Sequence, residues 1–206
     1  MNNCQIFIDA EYLLQSLKWL SGKSKEKIIR KEDFKWHNFV KHILNERQAE
    51  QLFYYTARLD ERENKATFDM QTKFLKNIET ELADYNIKMR LGHMIKIKIK
   101  TQKTWREQRE KRDFTPSYTW GQKGIDTKII LDMAKAAFEN SGNLTAILVS
   151  GDEDFSDVLK VLKEKGVKTE LITFSRNDSK LSNILKNTVD ECKEFDYQDC
   201  LRNNFL

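Results

Sequence analysis

Residues 144–154 read LTAILVSGDED, an uninterrupted apolar run that ends directly in a group of acids. A short run of this kind is typical of a strand that is covered on both faces. Residues 4–10, CQIFIDA, repeat the pattern, and their apolar part ends at Asp9. Because the carboxyl ends of parallel strands lie at one edge of a sheet, Asp9 and Asp152 are expected to lie close together if these strands are parallel neighbours.

The remaining chain alternates short β-forming runs with stretches whose apolar residues recur at helical spacing. Further strands are predicted over 51–56, 87–91 and 167–174, and helices over 11–20, 34–44, 66–85, 124–142, 155–165 and 179–187. Asp33 is the expected N-cap of the second helix. Repeated strand–helix–strand units predict an α/β fold with a mainly parallel sheet between helices. The length fits a single domain over 1–206.

Composition narrows the class of protein. The chain has 206 residues, of which 33% are charged and 39% hydrophobic, with one Pro and seven Gly, which excludes collagen-like, mucin-like and Pro/Gly-rich disordered proteins. No apolar stretch approaches the roughly 18 residues of a membrane helix, and no secretory signal is visible. The three Cys and three His show no zinc-ligand spacing. We therefore expect a cytoplasmic protein with reduced cysteines and no membrane partner.

Four aspartates are candidates for one acidic site. Asp126 lies in the first turn of the helix that Gly124 opens, while Asp152 and Asp154 follow the strand 144–149 and Asp9 ends the first strand. Crowded carboxylates are unfavourable unless a cation neutralises them, and Mg²⁺ or Mn²⁺ prefers oxygen ligands. Aspartates at these positions are also ordinary helix caps. Both interpretations stay open, but Asp9 needs no capping role, which favours a metal site.

The basic surplus of the chain lies in residues 96–123, which hold nine Lys and Arg against three acids in a protein of net charge +4. The basic residues are Lys96, Lys98, Lys100, Lys103, Arg106, Arg109, Lys111, Arg112 and Lys123. Lysines and arginines neutralise the phosphates of a polyanion such as RNA. We therefore expect a basic insertion over about 94–122 that contacts a polyanion.

The local pattern within this insertion allows two interpretations. Residues 94–100 alternate Ile with Lys, so one face of a strand should be packed and the other charged. Residues 101–122 are expected to form a flexible loop in which Trp105, Tyr118 and Trp120 offer stacking surfaces for single-stranded RNA. The alternative is that the lysines are merely solvated and the tryptophans anchor the loop to the core.

Three blocks of the sequence resemble the NYN family of the PIN-like nuclease superfamily. They are 6–13 (IFIDAEYL), 123–133 (KGIDTKIILDM) and 148–155 (LVSGDEDF), and the later strand 166–174 and helix 181–189 extend the resemblance in family order. The resemblance implies a Rossmann-like three-layer αβα sandwich that cleaves RNA with water activated by Mg²⁺ or Mn²⁺. Its catalytic and metal-binding residues would be Asp9, Asp126, Asp152 and Asp154, with Ser150 touching metal or phosphate and Lys123 approaching the scissile phosphate.

The chain departs from the family pattern at two positions. Tyr12 stands where the first block usually carries Asn, and Asp157 stands where the third block usually has Pro. Loss of the neutral amide bears on activity more than on fold, although a phenol can still hydrogen-bond a water. Asp132 also matches a family acid, but six residues place it about 240° around the helix from Asp126, so it is expected to be structural.

The leading hypothesis is a Mg²⁺- or Mn²⁺-dependent nuclease, with endoribonuclease as the expected type and RNA as partner; homodimer formation is left open. The residues expected to contact substrate are Tyr12, Lys96, Lys98, Lys100, Lys103, Arg106, Arg109, Lys123, Ser150 and Arg176. The alternative is a weak or inactive RNA-binding or adaptor module of the same fold, which the Tyr12 departure favours. A third hypothesis, phosphotransfer through Asp9, lacks the second Asp two residues on, because Glu11 stands there.

Overall fold

The fold is taken from a computed structural model that describes residues 3–23, 30–98, 118–140, 143–175 and 183–206. Strands of these ranges form one seven-stranded sheet. The strands are β1 Asn3–Asp9, β2 Gln48–Arg58, β3 Ile87–Lys98, β4 Tyr118–Lys123, β5 Leu144–Val149, β6 Lys168–Phe174 and β7 Glu191–Phe195.

The strand order is β4-β3-β2-β1-β5-β6-β7. Neighbouring strands from β3 to β7 pair in parallel, and β4 pairs antiparallel with β3 at one edge. The expected α/β fold with a mainly parallel sheet is therefore confirmed. β1 and β5 are direct parallel neighbours, with Phe7 opposite Leu148.

Helices connect the strands and flank the sheet. They are α1 Ala10–Lys23, α2 Trp36–Leu44, α3 Lys65–Glu81, α4 Ile125–Glu139, α5 Ser156–Glu164, α6 Asn183–Thr188 and α7 Tyr197–Arg202, with short 3₁₀ turns at Ala83–Tyr85 and Glu153–Phe155. None of these helices is long and apolar enough to span a bilayer, as far as the described ranges extend.

Apolar side chains of β1 divide between two buried clusters. Ile6 and Ile8 belong to a cluster that includes residues of α1 and α2, whereas Phe7 belongs to one built with α4 and α5. Successive strand residues point to opposite faces, so β1 is covered on both sides. Every residue of β5 is buried in the same way, as its uninterrupted apolar sequence predicts.

Several sequence-based boundaries are wrong. Asp33 does not cap α2, which begins at Trp36 without a side-chain cap; instead the Asp33 carboxylate accepts a hydrogen bond from the Arg30 N–H in a preceding turn. Residues 87–91 and 94–98 belong to one continuous strand, β3, and β2 extends beyond 51–56 at both ends. The strand β7 and the helix α7 were not predicted.

The basic insertion also differs from expectation. Residues 118–122, expected in a flexible loop, belong to β4 and pair with β3. Ile97 was expected on a packed face but is 44% exposed. This part of β3 extends beyond its pairing with β2, which ends at His93, and Ile97 packs over Gly121 of β4. Residues 99–117 lie outside the described part of the chain.

An ion pair ties α2 to β6. The Arg47 guanidinium donates to both carboxylate oxygens of Glu170 at 2.5 and 2.8 Å, and to the Leu44 and Ile43 carbonyls at the end of α2. The Glu170 side chain is only 2% exposed, so its charge depends on nearby cations, chiefly Arg47 and, at a longer 3.6 Å, Lys168.

We expect Arg47→Met to lower the free energy of unfolding by about 2 kcal/mol, because it removes both short hydrogen bonds to the buried Glu170 carboxylate and leaves it the longer contact with the Lys168 ammonium at 3.6 Å. Urea denaturation measures the change. Arg62→Met, which removes an exposed pair with Asp60, serves as the control and should leave the midpoint unchanged. Adding Glu170→Met to Arg47→Met should recover most of the loss; a double variant that is weaker still would contradict the assignment.

Candidate active site

A polar pocket of about 280 Å³ opens at the carboxyl edge of the sheet. Its wall is built by β1, the start of α1, the junction of β4 and α4, and the turn after β5. The lining residues are Asp9, Glu11, Tyr12, Gln15, Gln122, Ile125, Asp126 and Asp152. The structure thus brings three of the four expected aspartates, from remote parts of the sequence, to one cavity.

Asp9 is the most buried acid of the pocket, with 8% of its surface exposed. One carboxylate oxygen accepts the Tyr12 N–H at 3.1 Å, and the other accepts the Ser150 hydroxyl at 3.1 Å. Because α1 begins at Ala10, the first of these bonds caps the helix, so the expectation that Asp9 has no capping role is wrong. Burial raises the pKa of Asp9 to about 6 despite these hydrogen bonds, and the charges of Asp126 and Glu11 add to the effect. The site therefore disfavours the ionised form that it surrounds.

Asp126 reaches the pocket through the joint between β4 and α4. Gly124 adopts φ +81°, a left-handed conformation that suits glycine, and α4 starts directly after it. Partial burial raises the pKa of Asp126, as do the charges of Asp152 and Asp154. Asp126 is therefore close enough to Asp152 and Asp154 to be repelled by their carboxylates.

Asp152 is both a residue of the acidic pocket and a cap, the two interpretations that the sequence left open. Its side chain lines the pocket and also caps the 3₁₀ turn by accepting the Asp154 N–H at 3.0 Å. Asp154 itself is exposed and is not among the lining residues, so its contribution to the pocket is through charge.

Ser150 and Tyr12, both expected to contact substrate, form hydrogen bonds within the protein. Ser150 is fully buried; its hydroxyl donates to Asp9, and its oxygen accepts the Asp152 N–H at 3.3 Å. Tyr12 lines the pocket, but its hydroxyl accepts the Phe174 N–H at 3.0 Å. A Cβ atom on Gly151 would stand 2.5 Å from the Tyr12 ring, so the turn after β5 needs glycine for space.

Glu11 is a pocket residue that sequence reasoning missed as a site residue. Its two carboxylate oxygens accept the amides of Gln15 at 2.8 Å and Gln122 at 2.7 Å. The Gln122 contact joins α1 to β4 across the mouth of the pocket. Only the Glu11–Gln15 spacing of four on a predicted helix could have indicated part of this arrangement.

Asp132 lies in a separate network, in line with its expected structural role. Its carboxylate pairs with the Arg90 guanidinium at 2.7 and 2.8 Å and accepts the Tyr55 hydroxyl at 2.9 Å. It is not one of the residues that line the acidic pocket.

The expected basic contacts are only partly described. Lys123 is exposed at the end of β4, directly before Gly124, and Lys96 is exposed on β3. The backbone of Lys98 ends β3. The remaining expected contacts, Lys100, Lys103, Arg106, Arg109 and Arg176, lie outside the described residues, as does Trp105.

The donor set suits a hard divalent cation chemically, because carboxylate oxygens are its preferred ligands and two of these acids have raised pKa values. Within the described residues, however, no three His, Cys, Asp or Glu side chains converge closely enough to form a metal site as they stand. A cation here would have to draw Asp9, Asp126 and Asp152 closer together.

The model of the NYN domain family matches residues 3–196, nearly the whole chain. The chain belongs to the NYN domain family. NYN domains are generally nucleases. In this NYN domain, Asp9, Asp126 and Asp152 line the acidic pocket. A comparison with characterised proteins gives no significant match.

A solved structure supports the same fold for this NYN domain. The crystal structure of a protein of unknown function from Vibrio parahaemolyticus RIMD 2210633 is similar, with a TM-score of 0.55 and 18% sequence identity. The similarity covers 95% of this chain and 94% of that one. At this level of identity it shows a shared fold and no more.

We expect Gly151→Ala to destabilise the protein by about 2 kcal/mol, because the new methyl group would collide with the Tyr12 ring. Tyr12→Asn removes the ring, so Gly151→Ala should cost less than about 0.5 kcal/mol in that background. Urea unfolding of the two single variants and the double variant measures the coupling. Strictly additive losses would show that the contact does not constrain the turn.

The pH dependence of stability should carry the signature of Asp9. Its pKa is higher in the folded protein than the ordinary 3.8, so the stability that Asp9 contributes is complete below pH 4 and is lost as the pH rises through about 6. Unfolding in the presence of a chelator should therefore show Asp9→Asn to be more stable than wild type by about 2–3 kcal/mol at pH 7, with the difference vanishing at pH 4. A pH-independent difference would contradict this assignment.

Proposed function

We propose that this NYN domain is a Mg²⁺- or Mn²⁺-dependent ribonuclease that hydrolyses phosphodiester bonds at the acidic pocket, with internal cleavage of RNA as its expected mode. The observation that carries the proposal is the convergence of Asp9, Asp126 and Asp152 on one cavity. The family contributes the nuclease class. The proposal includes the Rossmann-like three-layer arrangement of PIN-like nucleases around this site.

The proposed ligands are Asp9, Asp126 and Asp152, with Asp154 adding negative charge beside them. Bound divalent cations would neutralise these acids, polarise a water for attack on phosphorus and stabilise the leaving oxygen. Ser150 and the Tyr12 N–H act as positioning groups, because they fix both oxygens of Asp9. Raised pKa values at Asp9 and Asp126 support the proposal, since a cation would stabilise the ionised forms that burial, and then the neighbouring carboxylates, disfavour.

The proposed RNA contact follows the basic side of the same edge. Lys123 stands two residues before the first turn of α4 and would approach the phosphate next to Asp126. Lys96 and the basic residues Lys98, Lys100, Lys103, Arg106, Arg109 and Arg176 complete the proposed set. Neutralisation of phosphates by these groups predicts binding that weakens steeply with salt.

A second candidate function, an inactive RNA-binding or adaptor module, draws support from Tyr12. The family amide is replaced by a ring whose hydroxyl is engaged with the Phe174 N–H. The pocket therefore lacks the family's amide at this position, although the amides of Gln15 and Gln122 line it elsewhere. This candidate predicts RNA binding without turnover in either metal.

We expect Asp152→Asn to reduce Mn²⁺-dependent cleavage of labelled RNA at least about 100-fold while the unfolding midpoint stays close to wild type, because a neutral amide is a poorer metal ligand than a carboxylate. The control is Asp157→Asn, an exposed aspartate one turn further along, paired with Lys160 and absent from the pocket lining. It should retain full activity.

The assay includes Mg²⁺, Mn²⁺ and chelator, with RNA and DNA of the same sequence. Cleavage that survives in Asp152→Asn would exclude the proposed site. RNA binding with no turnover in either metal would select the adaptor alternative.

A further inference from the structure

A second cleft, of about 390 Å³, lies along the same edge of the sheet, between the connection from β2 to α3 and the β3–β4 pair. Its lining residues are Leu59, Asp60, Glu63, Asn64, Thr67, Met94 and Trp120. The first of these follows the carboxyl end of β2, the neighbour of β1. The cleft is thus placed beside the acidic pocket and outside the aspartate set.

Strand register connects the cleft to the acidic pocket. Met94 pairs with Gln122, and Lys96 pairs with Trp120, in the antiparallel ladder. Directly opposed residues project from the same face, and so do residues two apart on one strand, so all four share one face. Gln122 lines the acidic pocket while Met94 and Trp120 line the cleft. Two residues of strand, about 7 Å, separate Gln122 from Trp120.

Trp120 gives the cleft an aromatic wall. The indole is 44% exposed, although large aromatic side chains usually bury more of their surface. The Lys96 ammonium lies 5.0 Å from the ring centroid and 2.8 Å from each Glu63 carboxylate oxygen. The Lys96 charge is thus paired with Glu63, and what the ring offers to a ligand is a stacking surface for a base.

The opposite wall is polar, and its oxygens are engaged within the protein. The Asn64 carbonyl oxygen accepts the Thr67 N–H at 3.0 Å. Both Asp60 oxygens accept from Arg62, which holds the pKa of Asp60 at about 2, and both Glu63 oxygens accept from Lys96. The two carboxylates disfavour a phosphate inside the cleft, so the group that it can hold is a base and not the backbone of the polymer.

We propose that this cleft binds one unstacked nucleobase of single-stranded RNA, beside the phosphodiester held at the acidic pocket, with Trp120 as the stacking platform. Because the oxygens of the facing wall are already hydrogen-bonded, stacking determines binding, and the cleft accepts cytosine and uracil alike. This inference rests on the proposed function for the identity of the polymer, but it concerns binding and is testable without turnover.

The experiment uses the full chain carrying Asp152→Asn, in Mg²⁺, with fluorescein-labelled oligocytidine and oligouridine and anisotropy as the readout. We expect both oligonucleotides to bind, and each to bind about tenfold more weakly after Trp120→Ala, as for the loss of one base–aromatic stack. Trp120→Phe should retain most of the affinity. Phe138→Ala, which removes an exposed aromatic at the far end of α4, is the matched control and should change nothing.

A second arm places a single abasic nucleotide at each position of the oligocytidine in turn. At one position the substitution should weaken binding and also abolish the effect of Trp120→Ala, which a purely structural role of Trp120 would not produce. Equal effects of Trp120→Ala and Phe138→Ala, persistence of the Trp120 effect at every abasic position, or absence of RNA binding would overturn the inference.

The two proposals fail separately. Base-dependent binding through Trp120 in a protein that cleaves nothing would leave the inference standing and exclude the nuclease. Metal-dependent cleavage whose KM is indifferent to Trp120→Ala would do the reverse.

Discussion

The negative charge of Asp9 is the constraint around which the site is arranged. The parallel order of β1 and β5 places this carboxylate at the sheet edge beside Asp152, and α4 brings Asp126 to the same cavity. Burial removes the water that would stabilise such charges. The protein supplies two hydrogen bonds to Asp9, yet its pKa stays high. The pocket therefore holds the ionised form of Asp9 at a cost in free energy.

Much of the fold could be predicted because its central strands are buried on both faces. A strand such as Leu144–Val149 tolerates few polar residues, so its sequence differs from both loops and amphipathic helices. The order of strands and helices then fixed the carboxyl edge. The meeting of Asp9, Asp126 and Asp152 could be inferred from topology, whereas their role as metal ligands stays a prediction.

Other features depend on contacts that leave no local signal. β4 is stabilised by pairing with β3, so its residues 118–123 carry no strand pattern strong enough to distinguish them from a loop. The link from Tyr12 to Phe174 spans 162 residues of sequence, and the need for glycine at position 151 follows only from that ring. Glu11 likewise lines the pocket, where its carboxylate accepts a hydrogen bond from Gln122 of β4, a residue remote from it in sequence.

Gly124 joins the β3–β4 strand pair directly to the helix α4. Gly124 is the one residue between Lys123 and Ile125, and its left-handed conformation turns the chain from strand into helix. Asp126 lies in the first turn of that helix, three residues after Lys123. The spacing between this cation and this acid is therefore set by three consecutive peptide bonds, independently of the length of the connection between β3 and β4.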